Sequence, residues 1–411
     1  MAIIRPFKSI RPKEGLEAKI AALPYDVYNR SEAKEAVKGN PLSFLNIDRP
    51  ETQFDDDFDM YSKEAYDKAS ELLEKMIADG NYIQDSEAYY YIYELTMDGR
   101  TQTGIVAAAS VDDYLNSVIK KHENTRADKE VDRIKHVDTL SAQTGPIFLA
   151  YRAKEEIDSI VNEVKKSSPV YDFTSEDSIT HRVWIIDNSE KITKLKELFA
   201  GINEIYIADG HHRCASAVKV GLKRREENKG YTGDEEFNYF LSVLFPDNQL
   251  MIMDYNRVIK DLNGHSEAEV IEYLKGLGEL GEITDGKIKP SSKGYVSVYI
   301  DNKWYSLKFK NELLSDDAVD GLDVCILQKN VLEPLFDIKD PKTDKRIDFV
   351  GGIRGLKELE RRVCEDCKIA FAMYPTSISE LFAVADENRL MPPKSTWFEP
   401  KLRSGIFIHK I

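Results

Sequence analysis

The sequence has few cysteines and no long apolar run. Its 411 residues include four cysteines, too few for the disulfide framework that stabilises small secreted domains. Cys364 and Cys367 form a lone CxxC pair, whereas a structural zinc site needs four ligands. No stretch reaches the roughly 18 apolar residues of a membrane-spanning helix, and the N-terminus lacks the apolar segment of a secretion signal. We therefore expect a soluble, cytoplasmic protein with reduced thiols.

An excess of positive charge is also missing. The chain carries 57 Lys and Arg residues against 72 Asp and Glu residues, for a net charge of −15. Proteins that bind nucleic acid or membrane surfaces need a broad basic area to meet the phosphate groups. The composition therefore excludes a general nucleic-acid or membrane partner. A local basic pocket, which suits a small anion, is compatible with it.

The length and the element patterns predict two parts with α+β structure. A chain of this length exceeds one compact core, and its predicted strands and helices do not alternate strictly, which favours α+β over a doubly wound sheet. A charged, glycine-containing stretch at 224–236 predicts a linker, which divides the chain into domains 1–230 and 231–411. The patterns predict hairpins over 88–110, 237–255 and 295–309, and helices over 58–78, 127–140 and 191–199.

The most informative segment is Asp209-Gly210-His211-His212-Arg213. It follows the apolar run 205–208 and precedes a helical pattern, so it predicts a strand, a glycine turn and a helix N-terminus. Backbone N–H groups and the helix dipole make such an N-terminus suitable for an anion. We interpret Gly210, His211, His212 and Arg213 as a phosphate-binding turn. The alternative is a solvated turn whose histidines cap the helix.

A second polar cluster runs from Lys120 to His136. At helical spacing Arg126, Lys129, Arg133 and His136 share one face, which predicts a cationic stripe. The alternative is a solvated helix neutralised by acidic neighbours three or four residues away. His122 and Glu123 precede this helix, and an adjacent imidazole and carboxylate suit acid–base chemistry or a divalent metal.

Two further segments carry weaker signals. Asp26 follows Pro24 and Tyr25, where it is a candidate base or magnesium ligand, or simply a turn residue. Near the C-terminus, the residues Lys394, Ser395 and Thr396 follow two prolines. We interpret them as a rigid substrate loop that contacts a phosphate, with a structural brace as the alternative.

Five motifs follow one another along the chain: Pro24-Tyr25-Asp26-Val27, Asn40-Pro41 with Phe44-Leu45, His122-Glu123-Asn124-Thr125 with Lys129-Glu130 and Asp132-Arg133, Asp209 to Arg213, and Pro393-Lys394-Ser395-Thr396. Taken in order, they resemble domain-of-unknown-function family 1015. That family is similar to the ParB/sulfiredoxin-like nucleotide-binding superfamily, in which a Gly-x-His-Arg turn at a helix start holds nucleotide phosphates. Some superfamily members phosphorylate free serine with ADP or ATP. Sulfiredoxins place a reactive cysteine before the His-Arg pair, where this chain has His211, so sulfinic-acid reduction is not expected.

The resemblance implies a ParB/sulfiredoxin-like core with a long insertion in 1–230 and a C-terminal part that completes the cleft. It also implies a kinase-like phosphotransferase that uses ATP or ADP, with magnesium, on a small metabolite such as serine or O-phosphoserine. Arg126 and Lys129 would hold a transferred phosphate, Asp26 or Glu123 would bind magnesium, and Asp26, Glu123 and Asp209 compete as the base. A nucleotide or phospho-metabolite sensor and a small-molecule phosphatase are the alternatives. A homo-oligomer is compatible with the sequence.

Overall fold

A long antiparallel hairpin organises the first part of the chain. The computed structural model describes residues 1–125 and 127–411, without the side chains of Asp128 and Lys129. Strands Tyr90–Met97 and Arg100–Ser110 pair along their length. The turn between them has positive φ at both Asp98 (50°) and Gly99 (77°), the conformation that matches the twist of paired strands. The predicted hairpin over 88–110 is confirmed.

This hairpin lies inside a sheet that, within the described residues, has nine strands. Tyr239–Pro246 runs antiparallel to Arg100–Ser110 and parallel to Ile147–Tyr151, so the sheet is mixed and the predicted α+β class is confirmed. In spatial order the strands are Ile119–Lys120, Ile205–Asp209, Ile147–Tyr151, Tyr239–Pro246, Arg100–Ser110, Tyr90–Met97, Thr180–Ile186 and Tyr171–Thr174, with Ile4–Arg5 added to Arg100–Ser110.

Helices cover this sheet and carry the motifs. One core lies on alternate strand residues such as Ile92, Ile105 and Leu149. A second brings together Phe44, Leu73 and other apolar residues of helices, short strands and loops. The predicted helix over 127–140 has the expected bounds. The helices of this part are Glu17–Ile20, Arg30–Val37, Leu45–Asp48, Lys63–Ala78, Val111–Leu115, Ala127–Leu140, Glu155–Val164, Ser189–Ala200 and His211–Glu227.

One helix start differs from its prediction. The pattern predicted a helix from residue 58, but the helix begins at Lys63. Ser62 provides the N-cap, because its side chain accepts a hydrogen bond from the N–H of Ala65. Phe58 instead stacks on Phe54, with 3.8 Å between the ring centroids. A local cap therefore outweighs the apolar spacing of the preceding turn.

The second part of the chain has a sheet of its own. The hairpin Tyr295–Ile300 and Lys303–Phe309 is confirmed, and its turn residues Asp301 and Asn302 have φ of 51° and 57°. In spatial order the strands are Gly278–Glu282, Lys303–Phe309, Tyr295–Ile300, Ile369–Met373, Tyr255–Ile259 and Ile347–Gly351. The helices are Glu267–Leu277, Asp323–Leu327, Glu333–Phe336, Leu356–Glu365 and Ile378–Asp386, and the last begins with a capping box of Ser377 and Glu380.

The hairpin predicted over 237–255 is wrong. Tyr239–Pro246 joins the first sheet, Ile252–Met253 pairs with Trp397–Phe398, and Tyr255–Ile259 joins the second sheet. The apolar residues of these segments are satisfied by strands far away in sequence, which local periodicity does not reveal.

Contacts between Cα atoms divide the chain into two units. The first comprises residues 1–121, 125–250 and 400–411, and the second comprises 122–124 and 251–399. This division differs from the predicted boundary at 230 because Tyr239–Pro246 is an inner strand of the first sheet. The last twelve residues also return to the first unit, where His409–Lys410 pairs with Ala142–Gln143. In the described residues, no helix combines the length and the apolar character needed to cross a bilayer.

Candidate functional site

The Gly210 turn has the geometry that its sequence predicts. Strand Ile205–Asp209 ends, Gly210 adopts a left-handed conformation (φ 89°, ψ 31°), and the helix His211–Glu227 begins. Glycine takes this conformation without the steric cost that a Cβ brings. Gly210 is the N-cap residue and has no side chain that could accept a hydrogen bond from the first helical N–H groups. The N-terminus of this 17-residue helix therefore presents its partial positive charge without a side-chain cap from that residue.

Asp209 stabilises this turn. Its Oδ1 accepts a hydrogen bond from the Gly210 N–H at 2.8 Å, and its Oδ2 lies 3.0 Å from Nζ of Lys401. Burial by itself would raise the pKa of the Asp209 carboxyl, but the charges of Lys401 and Arg213 and these hydrogen bonds hold it well below its usual range. Asp209 is therefore a stable anion. This disfavours it as the base among the three predicted carboxylates, since a general base works best with a pKa near the operating pH.

The guanidinium of Arg213 folds back over the turn. Its Nη1 donates to the carbonyl oxygen of Pro146 at 2.8 Å. A Cβ added to Gly210 would lie 3.1 Å from Nη2, and a Cβ added to Gly145 would lie 3.3 Å from Nη1. Two glycines thus leave room for the planar group of Arg213 beside the helix N-terminus.

Arg213 and Arg133 line one small cavity. Its volume is about 30 Å³, enough for about one water molecule. Both cations come from motifs that the sequence singled out, the Gly210 turn and the helix that follows residue 126. The cavity is lined by Tyr25, Asp48, Arg133, His136, Val137, Gln143, Thr144, Gly145, Ile147, Arg213, Ala217, Leu241 and Ser404.

Arg133 is buried and held from two sides. Its Nε and Nη2 lie 3.0 Å and 2.9 Å from Oδ2 of Asp132, and its guanidinium stacks 3.9 Å from the ring centroid of Tyr25. Asp132 in turn accepts a hydrogen bond of 2.9 Å from the hydroxyl of Tyr66 on the helix Lys63–Ala78. Burial raises the pKa of the Tyr25 phenol while Arg133 opposes the rise, so Tyr25 is a neutral hydrogen-bonding group.

Asp48 supplies a carboxylate to the cavity. It is 3% exposed, and its Oδ1 accepts from the hydroxyl of Thr144 at 3.2 Å. His136 is also buried, and its Nε2 lies 3.0 Å from the carbonyl oxygen of Ile47. Burial and the charge of Arg133 lower the pKa of His136, so this imidazole is neutral near pH 7. For Arg133 and His136, the solvated-helix interpretation is therefore wrong.

The other predicted residues of the first unit lie in different settings. His211 is buried, whereas His212 is half-buried and Asp26 is exposed on the short turn Tyr25–Val27. Arg126 lies outside the described residues, as does the side chain of Lys129, so their predicted phosphate contacts stay predictions. The hydroxyl of Thr125 donates to Glu130 Oε2 at 2.7 Å.

Within the second unit, the structure brings two predicted motifs together. His122 is 2% exposed, its carbonyl accepts from the N–H of Met391 at 2.8 Å, and its Nε2 lies 3.4 Å from Thr396 Oγ1. Glu123 is half-buried beside it. His122 therefore contacts the predicted substrate loop.

That loop is held by its own backbone contacts. Lys394 is exposed with a positive φ of 61°, and Ser395 is buried with its hydroxyl donating to Pro392 O at 2.7 Å. The carbonyl of Ser395 accepts a hydrogen bond of 3.0 Å from Thr376. The Ser395 side chain is therefore engaged in the structure of the loop, and the phosphate contact predicted for this loop stays a prediction.

A preformed metal centre is not found among the described side chains, where no three His, Cys, Asp or Glu residues lie together as ligands would. Magnesium, however, usually keeps several waters and binds through one or two carboxylates together with substrate phosphates. The predicted roles of Asp26 and Glu123 as magnesium ligands therefore stay predictions.

Sequence reasoning missed several lining residues. Thr144 and Gly145 precede Pro146, a local turn signal that could have drawn attention to them. Asp48 carries no motif, and Lys401 and Ser404 lie almost two hundred residues beyond the Gly210 turn. Only the folded chain brings these groups to the cavity or to Asp209.

In a comparison with known proteins, no curated protein matches the chain. A structure of SbnI with a C-terminal truncation, from Staphylococcus aureus, is 10% identical, with a TM-score of 0.38 over 72% of this chain and 82% of that one. A free serine kinase in complex with AMP is 14% identical, with a TM-score of 0.35 over 74% and 91%. A conserved hypothetical protein from Pyrococcus furiosus is 17% identical, with a TM-score of 0.34 over 74% and 94%.

A family model gives the assignment. It matches residues 4–325, a segment that includes the Gly210 turn, the helix Ala127–Leu140 and the motifs around Asp26 and Asn40. The C-terminal motif around Lys394 lies beyond that match. With most of its length covered, the chain belongs to the family described as "Protein of unknown function (DUF1015)".

Proposed function

We propose that the protein transfers a phosphoryl group between a nucleotide, ATP or ADP, and a small metabolite. Serine or O-phosphoserine is the first metabolite to test, as the family resemblance implies. One observation carries the proposal: Arg133 and Arg213, from two separate motifs, line a single cavity beside the N-terminus of the helix His211–Glu227. Asp48 lines the same cavity.

This combination suits phosphate better than other small ligands. Arginine presents a planar fork that can bind two phosphate oxygens at once, and a helix N-terminus adds partial positive charge. The whole chain is acidic, so a local concentration of positive charge stands out against its background. The cavity holds about a single water molecule, so at most one edge of a phosphoryl group would enter it, and the rest of a nucleotide would lie outside.

The proposed reaction is a direct displacement at phosphorus. The hydroxyl oxygen of the acceptor forms a bond to the transferred phosphorus, and the bond from that phosphorus to the bridging oxygen of the nucleotide breaks. The hydroxyl proton passes to a carboxylate. Arg133 and Arg213 would neutralise charge on the phosphoryl oxygens, which supplies most of the catalysis in reactions of this type.

Asp48 is our candidate for the proton acceptor. It is a buried carboxylate on the cavity wall, and its Oδ1 accepts a hydrogen bond from Thr144. The other oxygen would accept the proton. Asp26 and Glu123 stay predictions for the same role. Magnesium would enter with the nucleotide, and the proposed reaction requires no protein ligand to it.

Phosphorus NMR with ADP, ATP, serine and phosphoserine tests the proposal. A new phosphomonoester signal with ATP or ADP and serine, or the reverse reaction from phosphoserine, is the expected result. Release of inorganic phosphate alone would favour the phosphatase. Nucleotide binding without turnover for any amino acid would contradict phosphoryl transfer and favour a sensor.

Replacement of Asp48 tests the mechanism. Asp48→Asn keeps an oxygen that can accept from Thr144 but removes the basic carboxylate. We expect turnover to fall by about a hundredfold or more, the scale for losing a general base, while nucleotide affinity changes little. Asp67→Asn, which alters an exposed carboxylate on the helix Lys63–Ala78, is the control. Full turnover in Asp48→Asn would remove Asp48 from the mechanism.

A further inference from the structure

The C-terminal segment Pro400–Ile411, which we call the C-terminal strap, is bound to the first unit along its length. Ser404 exchanges backbone hydrogen bonds with Ala22, at 2.8 Å and 3.2 Å. The N–H of Gly405 donates to the carbonyl of Thr144 at 3.0 Å, and Ile408 pairs with Ile10. The strap is therefore a fixed part of the first unit.

The strap brings a lysine to the Gly210 turn. Nζ of Lys401 lies 3.0 Å from Oδ2 of Asp209, and the lysine side chain is 14% exposed. A few residues further along, Ser404 lines the cavity that Arg133 and Arg213 share. The family model ends at residue 325, so both residues lie outside the segment that defines the family.

Asp209 presents an electrostatic problem that Lys401 resolves. A carboxylate beside a phosphate-binding turn repels the phosphate and competes for the nearby arginine. In the structure, Lys401 contacts one oxygen of Asp209 while the Gly210 N–H occupies the other. Arg213 donates to the carbonyl of Pro146. Its charge also acts on Asp209, but Lys401 makes the larger contribution, which leaves more of the Arg213 charge for an anion.

We propose that Lys401 is a positioning residue of the phosphate site that acts through Asp209. It compensates the charge of the Asp209 carboxylate. Asp209 can then hold the Gly210 N–H in place while Arg213 binds the phosphate of the ligand. The proposal rests on the proposed function, because it assumes that a nucleotide phosphate binds at the Gly210 turn.

Isothermal titration calorimetry with ADP at low ionic strength tests this assignment on the full-length chain. Lys401→Met should weaken ADP binding about tenfold, since it leaves Asp209 uncompensated beside the ligand. Lys401→Arg should restore most of the affinity. Lys410→Met makes the same charge change at an exposed position of the same strap and should bind ADP like the unmodified protein.

A double-mutant cycle separates the positioning role from direct contact or a general structural role. In the Asp209→Asn background, which has no carboxylate to compensate, Lys401→Met should have little further effect on ADP affinity. This comparison also holds if Lys401→Met alone folds poorly, because the double variant has no unpaired carboxylate. Additive losses, or unchanged affinity in Lys401→Met, would overturn the proposal. Failure of the unmodified protein to bind ADP or inorganic phosphate would instead overturn the proposed function and this inference with it.

Discussion

Arg213 offers a ligand both a positive charge and a planar guanidinium group, and a substitution can remove the second while keeping the first. Its guanidinium packs beside Gly210 and Gly145 and donates to the carbonyl of Pro146. A lysine keeps the charge but lacks the planar fork whose two nitrogens bind two phosphate oxygens at once.

We predict that Arg213→Lys lowers nucleotide affinity at least about tenfold, which corresponds to about 1.4 kcal/mol. Calorimetric titration measures the change. Arg225→Lys is a matched control, because Arg225 lies at the far end of the same helix and pairs with Asp112. Equal affinity in Arg213→Lys would show that Arg213 acts as a point charge or as a structural residue.

Gly210 is needed for two reasons that a control can distinguish. A side chain there would be strained by the left-handed φ of 89° and would meet the Arg213 guanidinium at 3.1 Å. At Gly80 the φ of 74° is similar, but an added Cβ would meet nothing within 4 Å. Gly80→Ala thus carries the backbone cost alone.

We predict that both Gly210→Ala and Gly80→Ala lower the free energy of unfolding by about 1–2 kcal/mol, the cost of a left-handed non-glycine residue. Only Gly210→Ala should weaken nucleotide binding, because it displaces Arg213. Urea denaturation and calorimetric titration give the two quantities. Unaltered affinity in a folded Gly210→Ala protein would remove the turn from the site.

At the scale of elements, local signals were sufficient where the structure is local. The helix Ala127–Leu140 and the two hairpins around Asp98 and Asp301 follow from spacing and turn residues alone. Strand Tyr239–Pro246 was assigned to the wrong partner because its neighbours, Ile147–Tyr151 and Arg100–Ser110, lie about a hundred residues away. Periodicity predicts that a segment is a strand, but it does not specify the strand beside it.

The candidate site shows the same limit. Gly210 and Arg213 were predictable, because a strand, a glycine turn and a helix are consecutive in sequence. Arg133 was recognised as part of a cationic stripe, but its burial depends on Tyr25 and Asp132. Asp48 carries no sequence signal of its own and becomes a candidate only when folding places it in the cavity.

Contact between two helices positions Arg133, and this predicts an effect at a distance from the cavity. Tyr66 on Lys63–Ala78 donates to Asp132 on Ala127–Leu140, and Asp132 binds Arg133. Tyr66→Phe removes the hydroxyl alone. We predict a loss of about 1 kcal/mol in the free energy of unfolding and a nucleotide affinity that is several-fold weaker.

Tyr273→Phe is the control, since it removes a comparable hydroxyl that donates to Asn330 in the second unit. Its free energy of unfolding, measured for both variants by urea denaturation, should fall by a similar amount, without a change in nucleotide affinity. If both variants bind nucleotide equally well, Asp132 holds Arg133 without help from the helix Lys63–Ala78.

For the whole molecule, the chain does not divide where its composition changes. The linker-like stretch 224–236 lies inside the first unit, and the chain returns to that unit at residue 400 after forming the second. His122 and Glu123 belong by their contacts to the second unit, and Arg213 to the first. The predicted role of Glu123 as a base or magnesium ligand beside a nucleotide at the Gly210 turn therefore stays a prediction.

The two units contain buried groups that respond to acid in opposite directions. In the first, burial and the charge of Arg403 lower the pKa of His181 to about 3, and the ring contacts the hydroxyls of Tyr93 and Ser175. In the second, burial raises the pKa of Asp323 to about 6, although its carboxylate accepts from the N–H of Gly294.

Acid favours whichever state, folded or unfolded, binds the proton more tightly. Below about pH 6.5 an unfolded histidine is protonated while folded His181 is not, so acid favours unfolding of the first unit. Folded Asp323 binds a proton below pH 6, whereas an unfolded aspartate does so only near pH 4, so mild acid favours folding of the second unit. Between pH 7 and pH 5, His181 should contribute a loss of about 2 kcal/mol and Asp323 a gain of about 1 kcal/mol.

Hydrogen exchange with mass spectrometry, corrected for the intrinsic pH dependence of exchange, reports the opening free energy of each sheet. On acidification from pH 7 to pH 5, we predict weaker protection of strand Thr180–Ile186 and stronger protection of strand Tyr295–Ile300. His181→Gln should remove much of the first change and leave the second, and Asp323→Asn should do the reverse. The contrary outcome is a parallel change of protection in both strands that neither substitution affects. It would show that a single global transition, with other titrating groups, controls the stability of both units.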